Sequence, residues 1–190
     1  MLCEDSLISR FHRCDSGFGL LASLKLAGMG YTVISACLTE EGCERLKNTA
    51  GMALKCDVTR ESDVANLASK TELFAAQKEK RLFGVINNAG IIDIGAVDWM
   101  PLQSFKRVME VNYFGAVAVT KAMLPLLKRN AGSRIVYVSS VAGFHSVGLA
   151  SAYFASKHAL EGFTKSLRQE LRSWNVHVCN VNPSFTRCSL

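Results

Sequence analysis

Short apolar runs alternate with stretches of helical spacing along almost the whole chain, and no other feature of the sequence restricts the fold as strongly. The runs cover residues 31–37, 53–57, 82–88, 134–140 and 175–181. Between them, apolar residues recur at helical spacing over 18–28, 61–78, 104–128 and 151–173. In 61–78 the inward set is Val64, Leu67, Ala68 and either Leu73 or Phe74. A shorter helix follows Thr39, whose hydroxyl suits an N-cap, with Glu40 and Glu41 in a first turn where the helix dipole favours carboxylates. Strand–helix alternation of this kind builds a parallel sheet with right-handed crossovers. The expected fold class is therefore α/β, a Rossmann-like doubly wound parallel sheet with strand order 3-2-1-4-5-6.

The first strand is poorly written. It belongs within residues 1–13, yet Arg10, His12 and Arg13 stand where a strand buried on both faces wants continuous apolar side chains. This segment is expected to disturb the sheet at its centre.

Chemistry concentrates between Ser139 and Lys157, which read as a strand end, an apolar loop and a helix start. Tyr153 and Lys157 are four apart on a helix and so share a face, where an ammonium favours the ionised form of a neighbouring phenol. An unperturbed phenol titrates at about 10, so that pairing makes a tyrosine usable for proton transfer nearer neutral pH. Ser140 falls at the carboxyl end of a strand, the place where open α/β sheets bind ligands. Further upstream, Gly17 and Gly19 separate the first strand from the following helix, where missing side chains let backbone approach a pyrophosphate. Asn87 to Gly90 end the fourth strand.

Ser140 thirteen residues before Tyr153, the Tyr-x-x-x-Lys pair, the turn Cys14-Asp-Ser-Gly-Phe-Gly19, Asn87-Asn-Ala-Gly90 and Asn112 together resemble the short-chain dehydrogenase/reductase family over roughly residues 14–183. Within it the chain looks like the retinol, 17β-hydroxysteroid and 3-hydroxybutyrate dehydrogenase branch. The resemblance implies a nicotinamide-dependent oxidoreductase of CH–OH groups. Tyr153 would exchange a proton with the substrate oxygen, Ser140 would hydrogen-bond that oxygen, Lys157 would tune Tyr153 and hold the nicotinamide ribose, and Asn112 would support a proton-relay water. A competing reading has Asn112 locally disrupting its own helix by bonding backbone.

Cofactor contacts implied in the same way are Gly17, Phe18, Gly19, Asp57, Val58, Asn88, Ala89, Gly90, Tyr153 and Lys157. The end of the second strand, Cys37-Leu38-Thr39, carries neither the carboxylate that binds a ribose 2′-hydroxyl nor the cation that binds a 2′-phosphate, and the missing cation favours NAD over NADP. The family opens its phosphate turn with Thr-Gly where this chain has His12-Arg13, an expected source of strain. Ile91, Ile92, Ile94, Val141, Phe144, Val147 and Leu149 would line the pocket mouth or belong to the core. At the mouth they suit an apolar alcohol or ketone: a retinoid, steroid or lipid. His145 and His158 are expected to be incidental.

The resemblance also implies a homodimer, and a location at the endoplasmic reticulum or another membrane, facing the cytosol, with peripheral membrane contact. The sequence itself shows no signal peptide and no run long and apolar enough to span a bilayer. With 190 residues, 49% of them apolar, a single domain over 1–190 is expected. Measured against the family, that domain is expected to be incomplete at both termini, without a seventh strand or substrate lid. The alternative function is then an inactive member acting only through dimerisation or partner binding. Seven Cys without a Cys-x-x-Cys pair argue against a disulfide framework or a zinc site. The net charge of +6 divides into −1 over residues 1–95 and +7 over 96–190. No nucleic-acid motif or interleaved aromatics accompany the basic half, so a solvated surface is expected and a nucleic-acid partner is not.

Overall fold

Six parallel strands pair in the order β3-β2-β1-β4-β5-β6, in a computed structural model that describes residues 6–11, 17–48 and 51–184. The strands are β1 Ser6–Phe11, β2 Thr32–Cys37, β3 Met52–Lys55, β4 Arg81–Asn87, β5 Arg134–Val138 and β6 His177–Val181. The helices are α1 Gly17–Gly28, α2 Glu40–Leu46, α3 Glu61–Gln77, α4 Leu102–Met109, α5 Gly115–Lys128 and α6 Ser151–Glu170. The expected class and strand order both hold. Thr39 caps α2, its Oγ1 accepting from Gly42 N at 3.1 Å.

β1 corrects one expectation. Leu7 to Phe11 pair with Thr32 to Ala36 of β2, and β4 pairs along the other edge with a register shift between Leu7 and Ile8. Ladders on both sides satisfy this segment's backbone, and strand pairing of that kind overrides an unfavourable side-chain pattern. Arg10 therefore does not prevent a central strand. His12 and Arg13, with the strain expected of them, and Cys14 lie outside the described residues.

The sheet faces are covered unequally. In β4 and β5, Val85, Asn87, Ile135 and Tyr137 are buried, and Val85, Ile135 and Tyr137 join the main core with Val119 and Met123 of α5 and Leu160 of α6. Their neighbours Ile86, Val136 and Val138 are only half-buried. With Val181, Phe18 and Leu21 they line an apolar trough between α1 and the β4–β6 face. Strands of a parallel sheet covered on both faces would be buried throughout, so the alternation marks a face with partial cover.

The helix expected over 104–128 is three pieces. α4 and α5 are joined by a π turn, Glu110–Phe114, which inserts an extra residue and re-aims the side chains around it. Gly115 follows because a Cβ there would lie 2.7 Å from Val58 Cγ2. Of the two residues offered for the inner face of α3, Phe74 packs on the core and Leu73 is exposed. Among the described residues no helix is long and apolar enough to cross a membrane.

Candidate active site

The loops that follow β4 and β5 meet the first half of α6 at the carboxyl edge of the sheet. Ser140, two residues past β5, is extended and caps a single 3-10 turn, Val141–Gly143. Its Oγ accepts from Ala142 N at 3.1 Å and donates to Pro183 O at 3.5 Å. Lys157 lies one turn beyond Tyr153 on α6, with its Nζ 5.7 Å from the centre of the Tyr153 ring. Lys157 is 3% exposed, and its Nζ donates to Val138 O at 3.0 Å. Burial pushes this ammonium down to about 8, against an opposing pull from the Glu161 carboxylate.

Asn112 sits in the π turn, 1% exposed. Its Oδ1 accepts from Ile91 N at 2.8 Å, while its Nδ2 donates to Ile91 O at 2.9 Å and to Ser156 Oγ at 2.9 Å. The backbone it bonds therefore belongs to the loop after β4 and not to its own helix. Gly90 closes the cluster, since a Cβ there would stand 3.6 Å from both Asn112 Oδ1 and Lys157 Nζ.

Beside this cluster a cleft of about 250 Å³ is lined by Leu38 after β2, Asp57 and Val58 after β3, Ala89 and Ile91 after β4, and Arg107 of α4. Asp57 holds its own turn, Oδ1 accepting from Thr59 N at 3.0 Å and from Thr59 Oγ1 at 2.8 Å. Arg107 donates to Asp93 at 2.7 Å, an ion pair that keeps the Asp93 carboxyl below its usual range. At the start of α1, Gly17 has φ +58°, and a Cβ there would meet nothing within 4 Å. The buried Gly19 accepts from Ser23 Oγ at 3.0 Å. Phe18 departs from this group, because its side chain lines the apolar trough. Asn88, Ala89 and Gly90 are half-buried just past β4. Asn87 is turned into the protein, donating to Thr120 Oγ1 at 3.4 Å.

Most of the apolar residues offered for the pocket mouth are surface and not core. Ile92, Ile94, Phe144, Val147 and Leu149 are all more than half exposed, with Ile94 at 72%. Gly95 N donates to Leu149 O at 2.7 Å, which ties the two mouth loops together. Leu149 has φ +68°, a strained conformation for a non-glycine residue. His158 Nδ1 lies 2.9 Å from Phe154 O on its own helix. Ser156, Gly143, Glu161 and the Asp93–Arg107 pair are parts of this neighbourhood that motif reasoning passed over. Spacing alone marks Glu161, four residues past Lys157, whereas the others depend on contacts distant in sequence.

An open parallel sheet with a glycine-opened helix at its switch point defines a dinucleotide-binding class of α/β fold. Residues 14–190 match the short chain dehydrogenase family model, and the chain belongs to that family. It is 39% identical over 179 residues to human dehydrogenase/reductase SDR family member 9, covering 93% of this chain and 56% of that protein. With human retinol dehydrogenase 5 it shares 38% over 178 residues, covering 92% and 55%. The chain thus spans little more than half the length of these relatives. A short-chain dehydrogenase/reductase of Burkholderia phymatum, solved in complex with NAD, superposes with a TM-score of 0.87 at 26% identity, covering 98% of this chain and 68% of that one.

Proposed function

We propose that this chain binds a nicotinamide dinucleotide along the carboxyl edge of its sheet and carries the proton-transfer centre of an oxidoreductase acting on apolar alcohols and their carbonyls. The observation that supports this best is the approach of Asn112 and Lys157 to Gly90 from the π turn and from α6, with Tyr153 beside Lys157 on α6 and Ser140 at the head of the 3-10 turn after β5. The residues present suit the cofactor. A buried ammonium has three donors, and among the described residues Lys157 uses one, on Val138 O, leaving two for a ribose diol. The backbone at Gly17 is open at a helix N-terminus, where a pyrophosphate is favoured.

When bound, the nicotinamide supplies or accepts the hydride. Tyr153 holds the proton at its phenolic oxygen, giving it to a carbonyl or taking it from an alcohol, and Ser140 Oγ hydrogen-bonds the same substrate oxygen. Lys157 is the cation beside that phenol. Asn112 keeps the loop after β4 at fixed distance from α6, so that Gly90 can lie against Lys157. The exposed apolar loops at the mouth suit a retinoid, steroid or lipid alcohol, and retinol is the first substrate to try. NAD is the preferred dinucleotide in this reading, because the cation lining the cleft, Arg107, is paired with Asp93. A second copy of the chain is the proposed partner.

Titrating NAD and NADP against intrinsic fluorescence tests the reading. NAD is expected to bind more tightly, and a chain that binds neither nucleotide leaves the reading as an inactive member that works only through dimerisation or partner binding. Tyr153→Phe should leave nucleotide affinity within twofold and reduce any turnover at least a hundredfold. Turnover by that variant at a tenth of the parent rate would assign proton transfer to another group.

A further inference from the structure

Glu161 is buried on α6, 5% exposed, and among the described residues its Oε1 has no hydrogen-bond partner. It lies one turn past Lys157, under the 3-10 turn that Ser140 caps. Gly143 of that turn is pressed against it: a Cβ on Gly143 would stand 2.7 Å from Glu161 Cγ, 3.3 Å from Glu161 Oε1 and 3.3 Å from Lys157 O. The loop from β5 therefore rests on α6 at the Lys157–Glu161 turn, and only a residue without a side chain permits that approach. A carboxylate in such a place works against the fold unless something nearby is the better for it.

Titratable groups on the elements packed against α6 are Lys106 and Arg107 of α4, Glu110 and Tyr113 of the π turn, Tyr137 of β5, His145 beyond the 3-10 turn, Arg172 just after α6, His177 and Cys179 of β6, and Tyr153, Lys157, His158, Lys165, Arg168 and Glu170 on α6 itself. Among the described residues none forms an ion pair with Glu161, and Lys165 is drawn to the Phe144 ring, 5.8 Å from its centre. Lys157, at 3% exposed even more deeply buried than Glu161, is the cation four residues before it on the same helix, and the Glu161 carboxylate opposes the effect of burial on it.

We propose that Glu161 is a positioning residue for the reaction centre, its carboxylate keeping Lys157 in the charged form while its stem seats the turn that presents Ser140. Tyr153, Lys157 and Glu161 then form a ladder at i, i+4 and i+8 on one helix face. The proposal rests on the reaction-centre reading above for its functional meaning, but its physical content does not need the cofactor.

The test is Glu161→Gln, which keeps shape and removes charge, with Glu161→Asp as a second variant that keeps charge and shortens the stem. Lys157 is followed by NMR of lysine labelled at the ε position, with Lys157→Met used for assignment. The Lys157 titration midpoint is expected to fall by about one pH unit in Glu161→Gln and by less in Glu161→Asp. The alkaline limit of NAD affinity should move down with it. A midpoint within about 0.3 pH unit of the parent in Glu161→Gln overturns the proposal, since a carboxylate that only fills space would leave the titration where it is. If Glu161→Gln does not fold, Glu161→Met, which also removes the charge while filling the space, decides: a Lys157 midpoint within about 0.3 pH unit of the parent overturns the proposal. If the midpoint moves as expected but the parent binds neither nucleotide, the function proposed above fails and the electrostatic role of Glu161 stands.

Discussion

The ammonium of Lys157 couples the proposed reaction centre to the stability of the whole chain. An exposed lysine in the unfolded chain titrates at 10.5 and this one at about 8, so between those values the unfolded chain binds more protons and stability rises with pH. Below pH 8 the buried charge is fully present and costs the fold about 3 kcal/mol. Lys157→Met is therefore expected to be more stable than the parent at pH 7, by about 1 to 3 kcal/mol, with the difference shrinking from pH 8 toward 10.5. Denaturant midpoints at four pH values check this, and the same variant should lose at least tenfold in nucleotide affinity. Leu149 is a second strained residue, at φ +68° beside the pocket mouth. Leu149→Asn tolerates that conformation better and is expected to add about 0.5 to 1 kcal/mol of stability, while weakening binding of an apolar alcohol. Neither effect is legible in the sequence. Tyr153 and Lys157 announce themselves by spacing, but the depth at which Lys157 is buried and the backbone angle of Leu149 depend on what packs around them.

At the scale of elements, periodicity located each helix and strand to within a few residues, because it is written locally. It failed where two elements set each other's shape. The spacing over 104–128 reads as one helix, yet the structure breaks it with a π turn that carries Asn112 to the loop after β4 and to Ser156. Its amide makes three hydrogen bonds, the one to Ser156 fully buried, so Asn112→Ala is expected to lose about 2 to 4 kcal/mol by thermal or chemical unfolding. Gly115, just past the turn, admits Val58 so closely that Gly115→Ala should cost about 1 to 3 kcal/mol, although alanine is the better helix former. Far-UV circular dichroism with a denaturant series separates the two contributions. β1 failed in the opposite sense. Arg10 made it look unfit, but paired neighbours on both sides supply what its side chains do not.

Over the whole molecule, four cations of the basic half are held by local contacts. Lys128 stands 4.3 Å from the Trp174 ring centre, Arg134 stands 4.6 Å from that of Phe83, Arg129 pairs with Glu72, and Arg168 bonds Val178 O. Among the described residues β6 is an edge strand, and its Val181 is half exposed beside the apolar trough. A charge at such an edge discourages strand-to-strand association, so Val181→Lys should raise the monomer fraction in sedimentation while leaving Tm within about 2 °C. The trough has a further, calorimetric consequence. The heat capacity released on unfolding comes mainly from apolar surface that meets water for the first time, typically about 12 to 15 cal/mol/K per residue. Ile86, Val136, Val138 and Val181 already meet some of that water in the folded chain. Its unfolding increment should fall below that range, and its stability should vary less steeply with temperature than that of a protein of equal length whose sheet is clothed on both sides.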